Sequence, residues 1–315
     1  MKKYELMKSY DKSKHIESIK VKNFKFEYLF SKNWKKEEDI PYVLRTHLLD
    51  SYYCLPERPD MAFTFLWKCI NNAYSTYQRR SSKVVQIGDS VLLQNMSDTI
   101  ASRVSDKIIT TKTVGMLIEK YIDKIPNKIL RFISNYILKS YVIKQKITDE
   151  RYVYSSYNTF KSKFPNIHDS IISAYGQEYL GICNPIISNG EVDLRINDKD
   201  KSLKIIHSLS EKLKELIKTR QTFLSHNNQT YTLKLNSEEE YIQFILFNIL
   251  YAIRNNTVHG KIASRLNSDY VNPNSFQSSK YIYLLGYMFL SLMLYISDDI
   301  KLDDLEFNFK NIKCL

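Results

Sequence analysis

Apolar residues recur at helical spacing through most of the chain, and the breaks between the runs carry proline, glycine or clustered polar residues. Pro56 and Pro59 end the N-terminal stretch, and Asp60 is placed to cap a helix over Met61–Tyr77. Its apolar stripe is Phe63, Leu66, Trp67, Ile70, Ala73 and Tyr74, with Asn71 inside the same face. Further helices are predicted over Ser90–Val104 and over Thr113–Ile122, where Val114, Leu117, Ile118 and Tyr121 share a side. After Pro126 another covers Lys128–Lys144, with Ile129, Ile133, Tyr136, Ile137 and Tyr141 in register. A short helix is expected near His168–Tyr175. An amphipathic one is expected over Ser202–Phe223, burying Leu203, Ile206, Leu209, Leu213, Leu216 and Ile217. Val192, Leu194 and Ile196 alternate with charged residues, and Tyr231, Leu233 and Leu235 with polar ones, so the two runs read as short strands that pair. Ser278–Ile296 closes the set as a buried helix rather than a membrane span, since the uncharged run Tyr281–Ser297 is short for a bilayer.

The most apolar stretch is Ser237 to Gly260. Ser237 followed by Glu240 is a capping-box pattern, and three successive glutamates suit the positive end of a helix dipole. Ile242, Ile245, Leu246, Ile249, Leu250 and Ile253 keep helical spacing, while Phe244, Phe247 and Tyr251 cover the remaining circumference. A helix apolar all round is buried all round. It runs into Arg254, Asn255, Asn256 and His259, where two poor helix formers and Gly260 predict an end. Arg254 and His259 would stand about 140° apart on an unbroken helix, so they converge only if the helix frays between them.

These elements predict a mostly α protein, a helical bundle with a small β element. Residues 1–59 form an N-terminal extension, and residues 60–315 a helical domain with an insertion at about 146–235, where glycine, proline and tyrosine accumulate. In the extension, Phe24, Phe26 and Tyr28 alternate with charges as a short strand or the start of a helix. Trp34 stands among Lys32, Lys35 and Lys36, either to stack a base or as an anchoring ring on a solvated edge.

Charge narrows the partner. A formal net charge of +12 favours a polyanion. Four cysteines without paired spacing make neither a zinc pattern nor a disulfide framework, and point to a reducing cytoplasm. The charged N-terminus lacks the apolar core of a signal peptide. No carboxylate-rich metal constellation and no cofactor motif is visible, so metal and cofactor are both expected to be absent.

The run Arg254-Asn255-Asn256-Thr257-Val258-His259 resembles the Arg-polar-x-x-x-His motif of HEPN-domain proteins. Phe65-Leu66-Trp67-Lys68-Cys69-Ile70-Asn71-Asn72-Ala73-Tyr74 is similar to the first long helix of many of them. The two matches together cover 16 of the 315 residues. The resemblance implies a HEPN-like bundle and a metal-independent endoribonuclease that leaves 2′,3′-cyclic phosphate and 5′-hydroxyl ends. It implies a toxin or antiphage effector and a homodimer in which two motifs face each other across one composite cleft. An antitoxin or other regulatory partner would then restrain it, although Lys261 stands where some HEPN toxins carry a modified tyrosine.

The residue types suit that chemistry. RNA brings its own nucleophile, the 2′-hydroxyl, so the protein must move protons and stabilise charge on phosphorus. Arg254 has the fork for the phosphate, His259 titrates in the right range for proton transfer, and Asn255 can orient either. Asn256, Lys261, Asn71, Arg79 and Arg80 are the expected RNA contacts. Each also has a plain structural reading: Arg254 paired with a carboxylate, Asn255 as helix terminator, His259 bonded to the last carbonyls, Arg79 and Arg80 as surface. A non-catalytic module binding RNA, nucleotide or a protein partner would use the same pocket, and a DNA-binding or assembly subunit the basic surface alone.

Overall fold

Most of the chain is helical, with a few short antiparallel strand pairs, as the apolar spacing predicts. The structure, a computed structural model, describes residues 3–19, 25–29, 31, 34, 41–81, 88–226, 228–258, 264, 266–267 and 272–315. It divides into two compact units. One comprises residues 1–126 with 257–315, and the other residues 127–256. The expected insertion at about 146–235 lies inside the second.

The first unit is centred on two long helices, Pro59–Ser81 and Pro273–Ile296, packed along each other. Helix Tyr42–Tyr53 covers Pro59–Ser81, and Asp89–Ala101 touches both long helices. The long helix starts at Pro59, so Asp60 sits in its first turn and takes a bidentate bond from Arg58 at 2.8 and 2.9 Å. Asn272 and Ser275 form a reciprocal capping box at the start of Pro273–Ile296. That helix is long and apolar enough to cross a membrane, yet most of its residues are buried within the protein.

The two long helices approach closely at Gly286. A Cβ there would lie 3.0 Å from Phe63 Cε2 and 3.2 Å from Leu66 Cδ2. Gly286→Val is therefore expected to lower stability by about 1–3 kcal/mol through overpacking. A denaturant midpoint within error of the wild type would show that these helices can separate freely.

Described residues of the N-terminal extension belong to this unit. Residues 25–29 are irregular, not the predicted strand or helix, and Phe24 lies outside the described residues. Glu27 N donates to Asn311 Oδ1 at 2.6 Å while Asn311 Nδ2 donates to Glu27 O at 3.1 Å, so one amide copies a strand partner. Leu29 N donates to Tyr287 Oη, and that hydroxyl also pairs with Tyr52 Oη at 2.5 Å. Trp34 donates from Nε1 to the carbonyl of Asp299 at 2.8 Å, which anchors the ring.

In the second unit, helices Asn127–Lys146 and Lys199–Thr219 pack together. Leu203 points to solvent, 65% exposed, and Ser202, Ile205, Leu209, Leu213, Leu216 and Ile217 make the buried face. The helix stops before the predicted Phe223. Arg220 takes a left-handed φ of 66°, and the strand Gln221–His226 begins directly after it.

The expected pairing of the 192–196 and 231–235 runs does not form. Glu191–Asp193 pairs with Ile186–Ser188, and Gln229–Lys234 with Gln221–His226. Asn189 and Gly190 explain the first hairpin. Both have positive φ, 52° and 76°, the two-residue turn that matches strand twist and ties each strand to its immediate neighbour. The segment predicted as His168–Tyr175 is a longer run: Pro165–Ile171, a π-helical turn over Ile172–Gly176, and Gln177–Gly181.

Candidate functional site

The helix predicted from Ser237 begins as expected. Ser237 Oγ accepts from the Glu240 amide at 3.2 Å, but the Glu240 carboxylate takes the backbone amide of Asn236 instead of that of Ser237. After Glu238–Phe244 the coil widens into a π-helix over Ile245–Tyr251 and resumes as an α-helix over Ala252–Val258. π-helical turns are uncommon and concentrate at functional sites.

Helical structure continues to Val258, so Asn255 and Asn256 do not end the helix. His259, Gly260 and Lys261 lie outside the described residues, and the expected convergence of Arg254 with His259 falls there.

Arg254 is half-buried. Its Nη1 donates to Asn255 Oδ1 at 2.7 Å, and its Cζ lies 6.0 Å from the Tyr251 ring centre. Arg254 Nε is buried with no hydrogen-bond partner, and among the described residues Arg254 makes no ion pair. A guanidinium sheltered from water with only a neutral amide beside it is one of the arrangements that favour an incoming anion.

The asparagines divide the remaining work. Asn255 is buried and holds Arg254 through its side-chain oxygen. Asn256 is 0% exposed, which removes it from the expected RNA contacts. Its Nδ2 donates to Ala252 O at 2.7 Å and to Ser156 Oγ at 3.1 Å, pinning this end of the helix to the neighbouring helix Ser155–Lys163. Asn256 Oδ1 and both amide atoms of Asn248 are buried without partners. In an α-helix two turns span about seven residues, and one widened π turn makes it about eight. The π segment contains Asn248 and changes the rotation of the helix ahead of Asn256.

The other expected contacts belong to the first unit. Asn71 accepts from Tyr74 Oη at 2.6 Å, a bond within its own helix. Arg79 is exposed and bonds Thr76 at 3.1 Å. Arg80 donates to Ser297 O at 2.9 Å and pairs with Asp299 at 3.1 Å, so much of its charge is already engaged. Among the described residues no cluster of three or more His, Cys, Asp or Glu side chains is placed to hold a metal.

The chain matches no protein-family model, no curated protein and no solved structure. The functional reading therefore rests on the residues themselves.

A second histidine stands in the second unit in an arrangement the sequence did not signal. His168 Nδ1 lies 2.7 Å from Asp169 Oδ1, and Nε2 lies 2.9 Å from Tyr157 Oη. The connectivity is that of a proton relay, but imidazole and phenol are both buried, and burial pushes the Tyr157 hydroxyl up to about 12. That geometry locks two helices together and leaves only the Asp169 carboxylate of the three groups open to solvent. Nothing in the spacing of positions 157 and 168 foretells it.

Burial holds the His168 imidazole below its ordinary value, against the upward pull of Asp169. The unfolded chain then takes the proton first as pH falls, so stability is lost on acidification below about 6.5. His168→Gln is expected to flatten the melting temperature between about pH 5 and 7 relative to the wild type. Parallel curves for the two proteins would contradict a buried neutral imidazole.

Proposed function

We propose that the chain is a metal-independent endoribonuclease of the HEPN type, working as a homodimer on RNA. The observation that carries the reading is the state of Arg254: a half-buried cation, held at one nitrogen by Asn255 and unpartnered at Nε. The formal charge of +12 and the Arg-polar-x-x-x-His spacing support it.

In this mechanism the 2′-oxygen of the RNA loses its proton and attacks the adjacent phosphorus. The bond from phosphorus to the 5′-oxygen breaks, and that oxygen takes a proton as it leaves. The products are a 2′,3′-cyclic phosphate and a 5′-hydroxyl. His259 supplies or removes a proton, and the Arg254 fork binds the non-bridging oxygens as negative charge builds. Asn255 sets the plane of the fork. Asn256 and Ser156 hold the helix that carries it.

The test is purified full-length protein mixed with total RNA in EDTA, beside Arg254→Ala and His259→Ala. The expected result is cleavage by the wild type, cyclic-phosphate ends, and strong loss in both variants. Cleavage that survives both substitutions would overturn the assignment. RNA binding with no cleavage would leave a non-catalytic binding module in its place.

A further inference from the structure

Helix Tyr42–Tyr53 has two apolar faces. Leu44, Leu48 and Ser51 point inward, where the helix packs on Pro59–Ser81. At ~100° per residue, Tyr42, Thr46, Leu49 and Tyr53 fall within about 60° of one another on the far side. Tyr42 is 68% exposed, Leu49 59% and Tyr53 82%. Apolar side chains aligned in water along one helix face mark an interaction surface.

The spacing of the stripe identifies the occupant. Steps of four, three and four residues between 42, 46, 49 and 53 are those of a heptad seam. With Tyr42 and Leu49 at d and Thr46 and Tyr53 at a, Arg45 occupies g and Asp50 occupies e. In a parallel pair of such helices, a g residue faces the e residue five positions further along the partner. Here that places a guanidinium against a carboxylate, and two-fold symmetry does so twice. An antiparallel pair would instead set the Arg45 flanks against each other.

We propose that this face pairs with the same face of a second copy of the chain, in parallel, about a two-fold axis running along the two helices. The rim suits the seam. Arg45 Cζ lies 5.5 Å from the Tyr42 ring centre, and Lys12 Nζ lies 5.8 Å from that of Tyr53. Asp50 is half-exposed and approaches no basic group closer than His47 Nδ1, at 4.0 Å, among the described residues. Two heptads alone are too short to hold a coiled coil. This helix, however, is already ordered by its inner face, so pairing need not fold it. The result is concentration-dependent self-association through this face. The pairing assumes nothing about Arg254 or its chemistry.

Cysteine cross-linking of the full chain tests it, in a Cys54→Ser background with the unsubstituted background as control. About a parallel two-fold axis every seam position meets its own copy. Tyr42→Cys, Leu49→Cys and Tyr53→Cys should therefore each form a disulfide-linked dimer under mild oxidation. Sedimentation equilibrium should show Leu49→Glu weakening self-association by on the order of tenfold or more. Arg45→Asp and Asp50→Arg should each weaken it, and the double exchange should restore it. A wild type that stays monomeric without cross-links overturns the proposal. So does cross-linking at Leu49 alone, which is antiparallel pairing, or a dimer indifferent to Leu49→Glu. In those cases the stripe serves a different partner.

Discussion

Arg254→Ala is expected to reduce RNA cleavage by about 10²–10³-fold, the usual loss when one donor to a developing oxyanion is removed. The same variant should be within about 1 kcal/mol of the wild type in stability, because only the bond to Asn255 and a distant contact with the Tyr251 ring are given up. A buried Nε with no partner contributes nothing to folding that truncation could remove. That split between activity and stability is what a residue kept for a ligand should show. Arg254→Lys should recover only part of the rate, since an ammonium keeps the charge but cannot bond Asn255 and grip two phosphate oxygens in one plane. Initial rates on a defined RNA, with melting curves for each protein, decide it. Full activity in a folded Arg254→Ala protein would remove the arginine from the chemistry.

Asn256→Asp should produce the largest loss of stability. The two side chains have almost the same shape, so the change is electrical. Asn256 is fully buried, and its Nδ2 donates to Ala252 O and Ser156 Oγ. An aspartate puts a carboxylate oxygen against the Ala252 carbonyl, in a place water does not reach. At neutral pH the cost should be about 3 kcal/mol or more, a melting temperature lower by roughly 6–12 °C. The sign with pH follows from burial. The folded carboxyl titrates above its unfolded value of about 3.9, so the penalty is absent below that value and grows as pH rises toward the folded one. The gap in melting temperature between variant and wild type should therefore widen from about pH 4 to pH 8. A gap that stays constant would mean that water enters at position 256.

Helix positions were largely legible because burial on one face repeats every three or four residues. Lys128–Lys144 is observed as Asn127–Lys146, and Thr113 caps the helix it was expected to begin. Strand partners do not follow from the alternation, for a definite reason. Alternation at 192–196 and 231–235 shows which residues face inward, but pairing is chosen by the turn, and Asn189-Gly190 closes the nearer hairpin. The spacing extends the predicted helix to Phe223 because that residue falls seven positions after Leu216 on the apolar face. The left-handed residue that ends it is an arginine, which carries no stop signal.

At the candidate site, Arg254 and Asn255 are adjacent in sequence, and the structure bonds them to each other. The burial of Asn256 was invisible. Its partner Ser156 lies a hundred positions away, and the widening at Ile245–Tyr251 turns the last helical turn away from where an α-helix would set it.

Apolar periodicity by itself determined that this is a mostly helical protein with a strongly buried helix leading to Arg254, since helical spacing and side-chain burial are local properties of the chain. Tertiary structure alone decided which neighbour each strand takes, where that helix loosens into a π turn, and which of two adjacent asparagines faces the arginine and which is sealed inside. Those outcomes depend on atoms far apart in sequence competing for the same hydrogen bonds and the same space, and no window of neighbouring residues contains them.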